Sequence, residues 1–218
     1  MGNNRDIANI SRATIGRMPS YLRFLKEKEL AGERTVSSTA IAEELNLNAV
    51  QVRKDLAVIS SVAGKPKLGF EIADLIADIN RFLGYDNVTD AVLVGAGGLG
   101  RALVGYVGFK NYGLNIVAAF DSSPKLIGKK FGGVQVYDAA ETSRLVRRLN
   151  VLIGIIAVPK EAAQQVADEL VEGGVRAIWN FAPANLVLPQ NVAVKNEDMA
   201  ASLAILSKRL AVILNSEK

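Results

Sequence analysis

A glycine-rich turn carries the clearest chemical signal in the sequence. It follows the apolar run 91–94, precedes a helical segment that starts at about residue 98, and reads Gly95-Ala96-Gly97-Gly98-Leu99-Gly100. In such a turn the first glycine allows a tight bend, the second lets the backbone approach a pyrophosphate, and the third lets the helix pack closely on the strand. Free N–H groups at the start of the helix then bind the phosphates. The pattern predicts a dinucleotide site in a Rossmann fold, with all six residues as contacts.

An acidic residue follows at the distance that such a site requires. The next apolar run, 116–120, ends at Asp121, which lies 21 residues beyond Gly100. A carboxylate there accepts hydrogen bonds from the adenosine ribose hydroxyls and repels a 2′-phosphate. We therefore expect NAD, oxidised or reduced, rather than NADP. The alternative is an ordinary strand–helix turn with an incidental aspartate.

A nicotinamide dinucleotide site suggests an oxidoreductase, but two features oppose catalysis. The sequence contains no histidine, so the commonest proton shuttle for hydride transfer is absent. Once residues 90–196 are assigned to the Rossmann fold, no segment remains for a substrate domain. Lys160 or Asp198 could replace histidine, so an NAD-dependent oxidoreductase acting on a small substrate stays as the alternative. We expect no catalytic residues.

The composition bears on disulfides, metal sites and membrane segments. The chain has 218 residues, half of them hydrophobic, and it lacks cysteine as well as histidine. Disulfides and thiolate metal sites are thereby excluded, and we expect no metal site. The first residues lack the apolar run of an export signal, and the most apolar internal run, 151–158, is much shorter than the roughly 20 residues that span a bilayer. We expect a cytoplasmic protein that does not enter a membrane.

Positive charge is concentrated in the first third of the chain. Residues 1–70 hold 11 basic and 7 acidic side chains, so the whole formal excess of +4 lies there. This asymmetry indicates a polyanionic partner for the N-terminal region. An ordinary solvated basic face is the alternative.

Residues 1–80 show helical periodicity. Apolar residues recur at spacings of three and four in segments 11–29, 38–45 and 49–60. Ser37 or Ser38 can cap the second segment, and Asn48 can cap the third. Since only three residues separate these two segments, they predict a helix-turn-helix. The Gly/Pro/Lys segment 63–69 predicts a turn or small wing.

The third helix predicts contacts with double-stranded DNA. Gln51, Arg53 and Lys54 lie in its first half, where a recognition helix meets base edges and phosphates. Further candidate DNA contacts lie at the helix starts and in the wing: Ser38, Asn48, Lys65 and Lys67. Four apolar side chains are expected to face the core: Val50, Val52, Leu56 and Ile59. The alternative is a solvated helix face on which Asp55 pairs with Arg53 or Lys54.

From residue 90 onward the pattern is that of a doubly wound parallel sheet. Six strand-length apolar runs alternate with helical segments 99–109, 139–149 and 161–172. The runs are 91–94, 116–120, 134–137, 151–158, 177–181 and 192–194. The last segment, 197–214, predicts an amphipathic helix with one apolar stripe: Met199, Leu203, Leu206, Leu210 and Ile213. We expect three parts: 1–84 for DNA, 85–196 for the dinucleotide, and 197–218 for dimerisation.

Distinctive motifs along nearly the whole chain match one family. They are residues 10–12 (Ile-Ser-Arg), 21–23 (Tyr-Leu-Arg), 51–56 (Gln-Val-Arg-Lys-Asp-Leu), 95–100, 118–121 (Ala-Ala-Phe-Asp), 158–159 (Val-Pro) and 180–183 (Asn-Phe-Ala-Pro). With these motifs the chain resembles the bacterial redox-sensing transcriptional repressors called Rex. The resemblance implies a winged-helix DNA-binding domain joined to an NAD(H)-binding Rossmann domain, with NADH releasing the operator.

The chain departs from the family pattern at two places. Pro66, between Lys65 and Lys67, stands where the wing of the family usually carries an arginine, and lysines cannot provide bidentate contacts. Gly98 stands where many relatives have asparagine. These differences bear on operator sequence and on one pyrophosphate contact.

A homodimer on a palindromic operator follows from the short recognition helix, which contacts too few base pairs alone. The C-terminal stripe could supply the dimer contact; in Rex proteins this helix is exchanged between subunits, and packing on its own Rossmann domain is the alternative. The resemblance also implies a switch in which Asp198 pairs with Arg23 in one state and with Tyr106 in the other. The expected nicotinamide contacts are Tyr106, Phe109, Val158, Pro159 and Phe181, with Asn180 as a further cofactor residue.

Overall fold

The computed structural model describes residues 10–62, 64, 69–86 and 89–216. The chain divides into two compact units, Met1–Asn87 and Val88–Lys218. The boundary between the units falls after residue 87, whereas the predicted boundary falls after residue 84. The C-terminal helix is grouped with the second unit, whereas the prediction treats it as a third part.

The N-terminal unit is built from helices with one small sheet. Its elements are α1 (Arg12–Leu30), β1 (Thr35–Val36), α2 (Ser38–Glu44), α3 (Ala49–Ile59), β2 (Phe70–Glu71) and α4 (Ile72–Leu83). The side chains of Ser11, Ser37 and Asn48 cap α1, α2 and α3. β1 and β2 pair antiparallel. Most of the predicted wing, residues 63 and 65–68 with Lys65 and Lys67, lies outside the described residues.

Side chains from all four helices form the core of this unit. Tyr21, Val52, Leu56 and Ile79 are each fully buried there. The core prediction for α3 holds for Val52 and Leu56, but it is wrong for Val50, which is 54% exposed in the first turn of α3. The sequence analysis also missed α4, which contributes Ile79 to this core.

The second unit is an α/β sandwich around a seven-stranded sheet. Its elements are β3 (Thr89–Val94), α5 (Gly98–Val104), β4 (Leu114–Asp121), β5 (Lys130–Phe131), β6 (Val134–Asp138), α6 (Thr142–Leu149), β7 (Ile153–Ile156), α7 (Ala163–Gly173), β8 (Ala177–Asn180), β9 (Ala193–Asn196) and α8 (Met199–Ser216). The strand order is β5-β6-β4-β3-β7-β8-β9, and only the β5–β6 pair is antiparallel. Apart from β5, this is the Rossmann order. The predicted fold class is confirmed.

The order of the strands reverses between β3 and β7. Ala91 pairs with Ile116 on one side and with Ile153 on the other, so the chain leaves β3 in the centre of the sheet. In open α/β sheets ligands bind beyond the carboxyl ends of the strands at such a switch point. Residues 95–100 follow β3 at this place. Apolar clusters cover both faces of the sheet and hold the strand ends in position.

Two predicted elements have different limits in the structure. Segment 99–109 does not form one helix: α5 ends at Val104, and a 3₁₀ helix, Val107–Tyr112, follows Gly105. The strand predicted over 151–158 is shorter, since β7 covers Ile153–Ile156.

The C-terminal helix α8 is exposed over its whole length. None of its residues, Met199–Ser216, is buried. By length and composition it is also the one helix in the described part of the chain that could cross a membrane, with a mean hydropathy of 1.3. The sequence analysis missed this property because it compared only residues 151–158 with a membrane span.

Candidate functional site

The glycine turn has the geometry of a phosphate-binding turn. Gly95 adopts φ +100°, a conformation that side chains rarely allow, and a Cβ atom there would strike the carbonyl oxygen of Ala157. A Cβ on Gly100 would strike the carbonyl oxygen of Gly95, so the start of α5 lies directly on the turn. Gly97 is different: a Cβ there would have no neighbour within 4 Å. The turn therefore leaves open space at the position where a pyrophosphate approaches the backbone.

Asp121 lies at the end of β4 and is tied to the glycine turn. Its Oδ2 accepts a hydrogen bond of 2.7 Å from the N–H of Ala96, and its Oδ1 accepts one of 2.8 Å from the N–H of Ser123. Each carboxylate oxygen has a second lone pair, so two acceptor positions remain for ribose hydroxyls. The structure brings Asp121 and the turn together, as the spacing predicts.

An aromatic cluster lies beside this region. The ring centroids of Tyr106 and Phe109 are 4.9 Å apart, those of Phe109 and Trp179 are 5.6 Å apart, and those of Trp179 and Phe181 are 4.9 Å apart. Trp179 therefore joins predicted nicotinamide contacts from the 3₁₀ helix and from β8. The Nε1–H group of Trp179 donates to Glu197 at 2.8 Å. Trp179 is not among the predicted site residues, although it lies in the apolar run 177–181 directly before the motif 180–183.

The two remaining predicted wall residues follow β7. Val158 lies against the turn, since its Cγ1 atom would be 2.9 Å from a Cβ on Gly95. Pro159 is exposed and precedes a short 3₁₀ helix, Lys160–Ala162.

Asn180 is fully buried, and its amide is engaged within the protein. Its Nδ2 atom donates to the carbonyl of Ala184 and to Oδ1 of Asn196, both at 2.9 Å, while its Oδ1 accepts from the N–H of Ala182. These bonds organise the chain after β8. The carbonyl of Asn180 also accepts from the N–H of Glu197 at 2.8 Å, and the cofactor contact predicted for Asn180 stays a prediction.

The predicted DNA-facing side chains of α3 are exposed. Gln51, Arg53 and Lys54 all face solvent. Asn48 is exposed too, and its Oδ1 accepts from the N–H groups of Val50 and Gln51 at the start of the helix. Ser38 is half-buried in the first turn of α2.

Asp55 on α3 is buried and bound by four side chains. The Nε atom of Arg17 lies 2.6 Å from Oδ2, and the hydroxyl of Tyr21 donates to Oδ2 at 2.8 Å. Thr14 and Gln51 donate to Oδ1 at 3.2 and 2.9 Å. The alternative in which Asp55 pairs with Arg53 or Lys54 is therefore wrong, because the ionic partner of Asp55 is Arg17 on α1. No local pattern indicates this contact, because Arg17 and Asp55 lie 38 positions apart.

These contacts shift the titration of Asp55. Burial acts to raise the pKa of this carboxyl, but the hydrogen bonds from Arg17, Tyr21 and Gln51 outweigh burial, and the pKa lies below its ordinary value. A carboxyl whose pKa is lower in the folded state stabilises the fold above its unfolded pKa, about 3.9, and this contribution is lost as the pH falls through the folded pKa.

We therefore expect acid to remove the thermal stability that the ionised Asp55 adds to the wild type. At pH 7 the wild type should melt several degrees above an Asp55→Asn variant, and the difference should shrink steadily below about pH 4. Circular dichroism melts of both full-length proteins between pH 3 and pH 7 measure this. A difference that stays constant over this range would contradict the expectation.

The three predicted switch residues are exposed. Arg23 belongs to the N-terminal unit, and Tyr106 and Asp198 belong to the C-terminal unit. Tyr106 is 54% exposed. Asp198 precedes α8, and its Oδ1 accepts from the N–H of Ala201 at 2.9 Å. Among the described residues, no group of three or more acidic side chains is placed to hold a metal ion.

Comparisons with known proteins agree with both units. A family model described as "Putative DNA-binding protein N-terminus" matches residues 9–57, and one described as "CoA binding domain" matches residues 86–184. The redox-sensing transcriptional repressor Rex of Desulforamulus reducens is 45% identical over 203 residues, 93% of this chain and 96% of the relative.

Two solved structures of RSP are similar over nearly the whole chain. The complex of RSP with β-NAD⁺ and operator DNA has a TM-score of 0.87 and 34% identity, and covers 95% of each chain. The complex of RSP with β-NADH has a TM-score of 0.84 and 33% identity, and covers 96% of this chain and 99% of that one. RSP is a Rex-family repressor.

A helix-turn-helix unit followed by a Rossmann unit with an open glycine turn defines a class of ligand-responsive transcription regulators. Within this class the comparisons identify one family. The chain belongs to the family of redox-sensing transcriptional repressors Rex, as the motif resemblance predicts. The matched relatives are repressors, which favours the regulator over the oxidoreductase alternative.

Proposed function

We propose that this protein is a DNA-binding transcriptional repressor that senses the ratio of NADH to NAD⁺ and releases its operator when NADH binds. The observation that carries the proposal is that an exposed recognition helix and an open phosphate-binding turn occur in one chain. The similarity to RSP, whose solved structures contain NAD⁺ with operator DNA and NADH, supports it.

The glycine turn and Asp121 hold the adenosine and pyrophosphate part of the dinucleotide. Gly97 and Gly98 leave their backbone open to the phosphates, and Leu99 and Ala96 complete the turn around them. Asp121 accepts hydrogen bonds from the ribose, and its negative charge disfavours a 2′-phosphate. The residues present thus suit NAD(H) better than NADP(H).

The nicotinamide end meets an apolar wall. It consists of Tyr106, Phe109, Val158, Pro159 and Phe181. The carboxylate of Glu197 beside this cluster is engaged by the Nε1–H group of Trp179. The nicotinamide ring is positively charged when oxidised and neutral when reduced, and burying an unpaired charge is costly. This wall therefore favours the reduced form.

DNA binding is assigned to the N-terminal unit. Arg53 reads base edges from α3, and Lys54 neutralises phosphate. Gln51, Ser38 and Asn48 add polar contacts at the helix starts, and the two wing lysines, Lys65 and Lys67, add phosphate contacts. The protein works in the cytoplasm, where its operator lies.

Two copies of the chain bind one palindromic operator as a homodimer. The exposed α8 supplies the dimer contact, exchanged between subunits as in the family resemblance. Asp198 then pairs with Arg23 in one state of the dimer and with Tyr106 in the other. NADH shifts the equilibrium only through its different affinities for the two states.

Operator binding is expected to weaken with NADH and not with NAD⁺. A coupling free energy of about 1–3 kcal/mol corresponds to a loss of about 5–150-fold. Fluorescence anisotropy with a labelled duplex, titrated with each nucleotide at fixed salt concentration, measures the loss. Equal responses to both nucleotides would contradict redox sensing, and turnover of NADH with a carbonyl substrate by a protein without DNA affinity would favour an oxidoreductase.

An Arg53→Ala variant is expected to lose specific operator binding and to keep NADH binding. Removing a bidentate base contact costs about 1–3 kcal/mol per half-site, and a dimer loses it twice. The matched control is Arg148→Ala, which removes an exposed arginine from α6 in the other unit. If both variants weaken operator binding equally, Arg53 contributes charge only.

A further inference from the structure

The buried carboxylate of Asp55 acts on the same helix that carries the proposed DNA contacts, yet it has no access to DNA. Only 2% of Asp55 is exposed. Arg17 holds it with two nitrogen atoms, Nε at 2.6 Å from Oδ2 and Nη2 at 2.9 Å from Oδ1. Tyr21, which is fully buried, donates to Oδ2. Thr14 donates to Oδ1 as well. Because three side chains of α1 bind Asp55, the carboxylate is a rigid reference point on α3.

Asp55 determines which way the carboxamide of Gln51 points. The Nε2 atom of Gln51 lies 2.9 Å from Oδ1 of Asp55. An ionised carboxylate only accepts hydrogen bonds, and the low pKa of Asp55 keeps it ionised near neutral pH. The amide nitrogen of Gln51 must therefore face Asp55, and its carbonyl oxygen is turned away from that carboxylate.

This orientation has a consequence for base reading. A free glutamine reads adenine with its oxygen and its nitrogen together, as acceptor and donor. A glutamine whose nitrogen is held by a carboxylate meets the major groove mainly with its oxygen. Among the bases, adenine and cytosine present an exocyclic amine as a donor there, whereas guanine and the oxygen of thymine present acceptors.

We propose that Asp55 is a specificity-determining positioning residue: it orients Gln51 so that the carbonyl oxygen of Gln51 meets a base with an exocyclic amine. The proposal rests on the proposed DNA-binding function of α3. To that function the proposal adds a specificity residue, Asp55, that does not contact DNA. It also names the chemical class of base expected at one position of each half-site.

Replacing Asp55 with asparagine should invert the base preference. Nε of Arg17 and the hydroxyl of Tyr21 both donate to the Oδ2 position, so the carbonyl oxygen of Asn stays there. The new amide nitrogen then takes the Oδ1 position, which faces Gln51, and Nη2 of Arg17 loses its partner. Gln51 then turns over to offer its oxygen to that nitrogen, and its own nitrogen points outward. The outward donor can reach O6 and N7 of guanine or O4 of thymine, whereas cytosine offers no acceptor and adenine only N7, so the preference shifts to guanine or thymine.

The test is selection from a random duplex library with the full-length wild type, Asp55→Asn and the control Tyr21→Phe. Tyr21→Phe removes one hydrogen bond from Asp55 and leaves the bond to Gln51. The wild type and the control should prefer adenine or cytosine about tenfold at one position of each half-site. Asp55→Asn should prefer guanine or thymine at that position and be unchanged elsewhere. An unchanged profile of Asp55→Asn, or equal weakening at every position, would overturn the proposal.

A second variant covers the case in which Asp55→Asn does not fold. Gln51→Met removes the carboxamide and leaves Asp55 with Arg17. It should lose the preference at that one position, and a retained preference there would overturn the proposal. A wild type that selects no sequence would instead contradict DNA recognition itself, so the two failures are distinguishable.

Discussion

A Gly97→Val variant is expected to bind NADH at least about 150-fold more weakly than the wild type while keeping its fold. A Cβ on Gly97 has no protein neighbour within 4 Å, and the residue has an ordinary φ of −69°. A Cβ atom at this position therefore strains neither the backbone nor the packing, and thermal melts measure whether the two γ-carbons of valine are tolerated as well. The valine side chain fills the space where the pyrophosphate approaches the turn. Losing two charge-assisted hydrogen bonds there costs about 3–6 kcal/mol, which is about 150-fold or more in affinity.

The neighbouring glycine supplies the matched control. Gly98 also has open space around a Cβ, and the family resemblance implies that a side chain is accepted at that position. Gly98→Ala should therefore reduce NADH affinity only slightly. NADH fluorescence titrations and thermal melts of both variants separate lost binding from lost stability. The variant Gly97→Val should still bind operator DNA and should no longer release it with NADH. Near-normal NADH affinity in Gly97→Val would place the pyrophosphate elsewhere.

Local patterns predict the site because its parts follow one another along the chain. The strand, the glycine turn and the start of α5 span residues 89–104, and Asp121 is reached through one further strand. In the N-terminal unit the caps Ser37 and Asn48 mark the helix starts, so α2 and α3 begin where the sequence indicates. Periodicity and capping are local properties, and a single sequence displays them directly.

Contacts between distant residues are not visible in this way. Asp55 looks like a surface residue beside Arg53 and Lys54, but it is bound by Arg17, 38 positions earlier. Nothing in the spacing indicates this pair. Similarly, Trp179 meets Phe109 only because β8 and the 3₁₀ helix are brought to the same face of the sheet.

A missing capping bond and a position at the edge of the core explain two further differences between the predicted and the observed structure. α4 begins after Glu71, whose side chain makes no capping bond, so the usual start signal is absent although Ile72, Leu75 and Ile79 are buried. Val50 fits the apolar spacing of α3, but it lies in the first turn, where the helix projects beyond the core. Apolar spacing alone does not define where a core ends.

The composition of α8 favours a protein partner over a bilayer. Lys208 and Arg209 lie at the middle of this 18-residue helix. A basic side chain at the centre of a membrane span costs about 2.5–3.5 kcal/mol on insertion scales, so two together oppose insertion. At the surface of a dimer the same two side chains can reach solvent while the apolar stripe is covered. A large exposed apolar surface on a helix is typical of an interface between protein chains.

Lysines on the apolar stripe of α8 are therefore expected to separate the dimer and to reduce operator affinity about 100–10,000-fold. In a Leu206→Lys/Leu210→Lys variant, two side chains that are 64% and 53% exposed in the single chain would carry charge into the dimer contact. A monomer holds one half-site only and loses the high effective concentration of its second copy, which accounts for the size of the loss. Sedimentation velocity and anisotropy with operator DNA measure the two effects.

The control variant Ala204→Lys/Asn215→Lys adds the same charge on the opposite side of α8, and it should remain a dimer with nearly unchanged operator affinity. A dimeric Leu206→Lys/Leu210→Lys variant with full operator affinity would show that another surface joins the subunits. A wild type found in the membrane fraction, and released from it by the lysine substitutions, would instead identify α8 as a membrane segment. Because dimer separation leaves the glycine turn intact, the monomeric variant should still bind NADH, which separates loss of assembly from loss of fold.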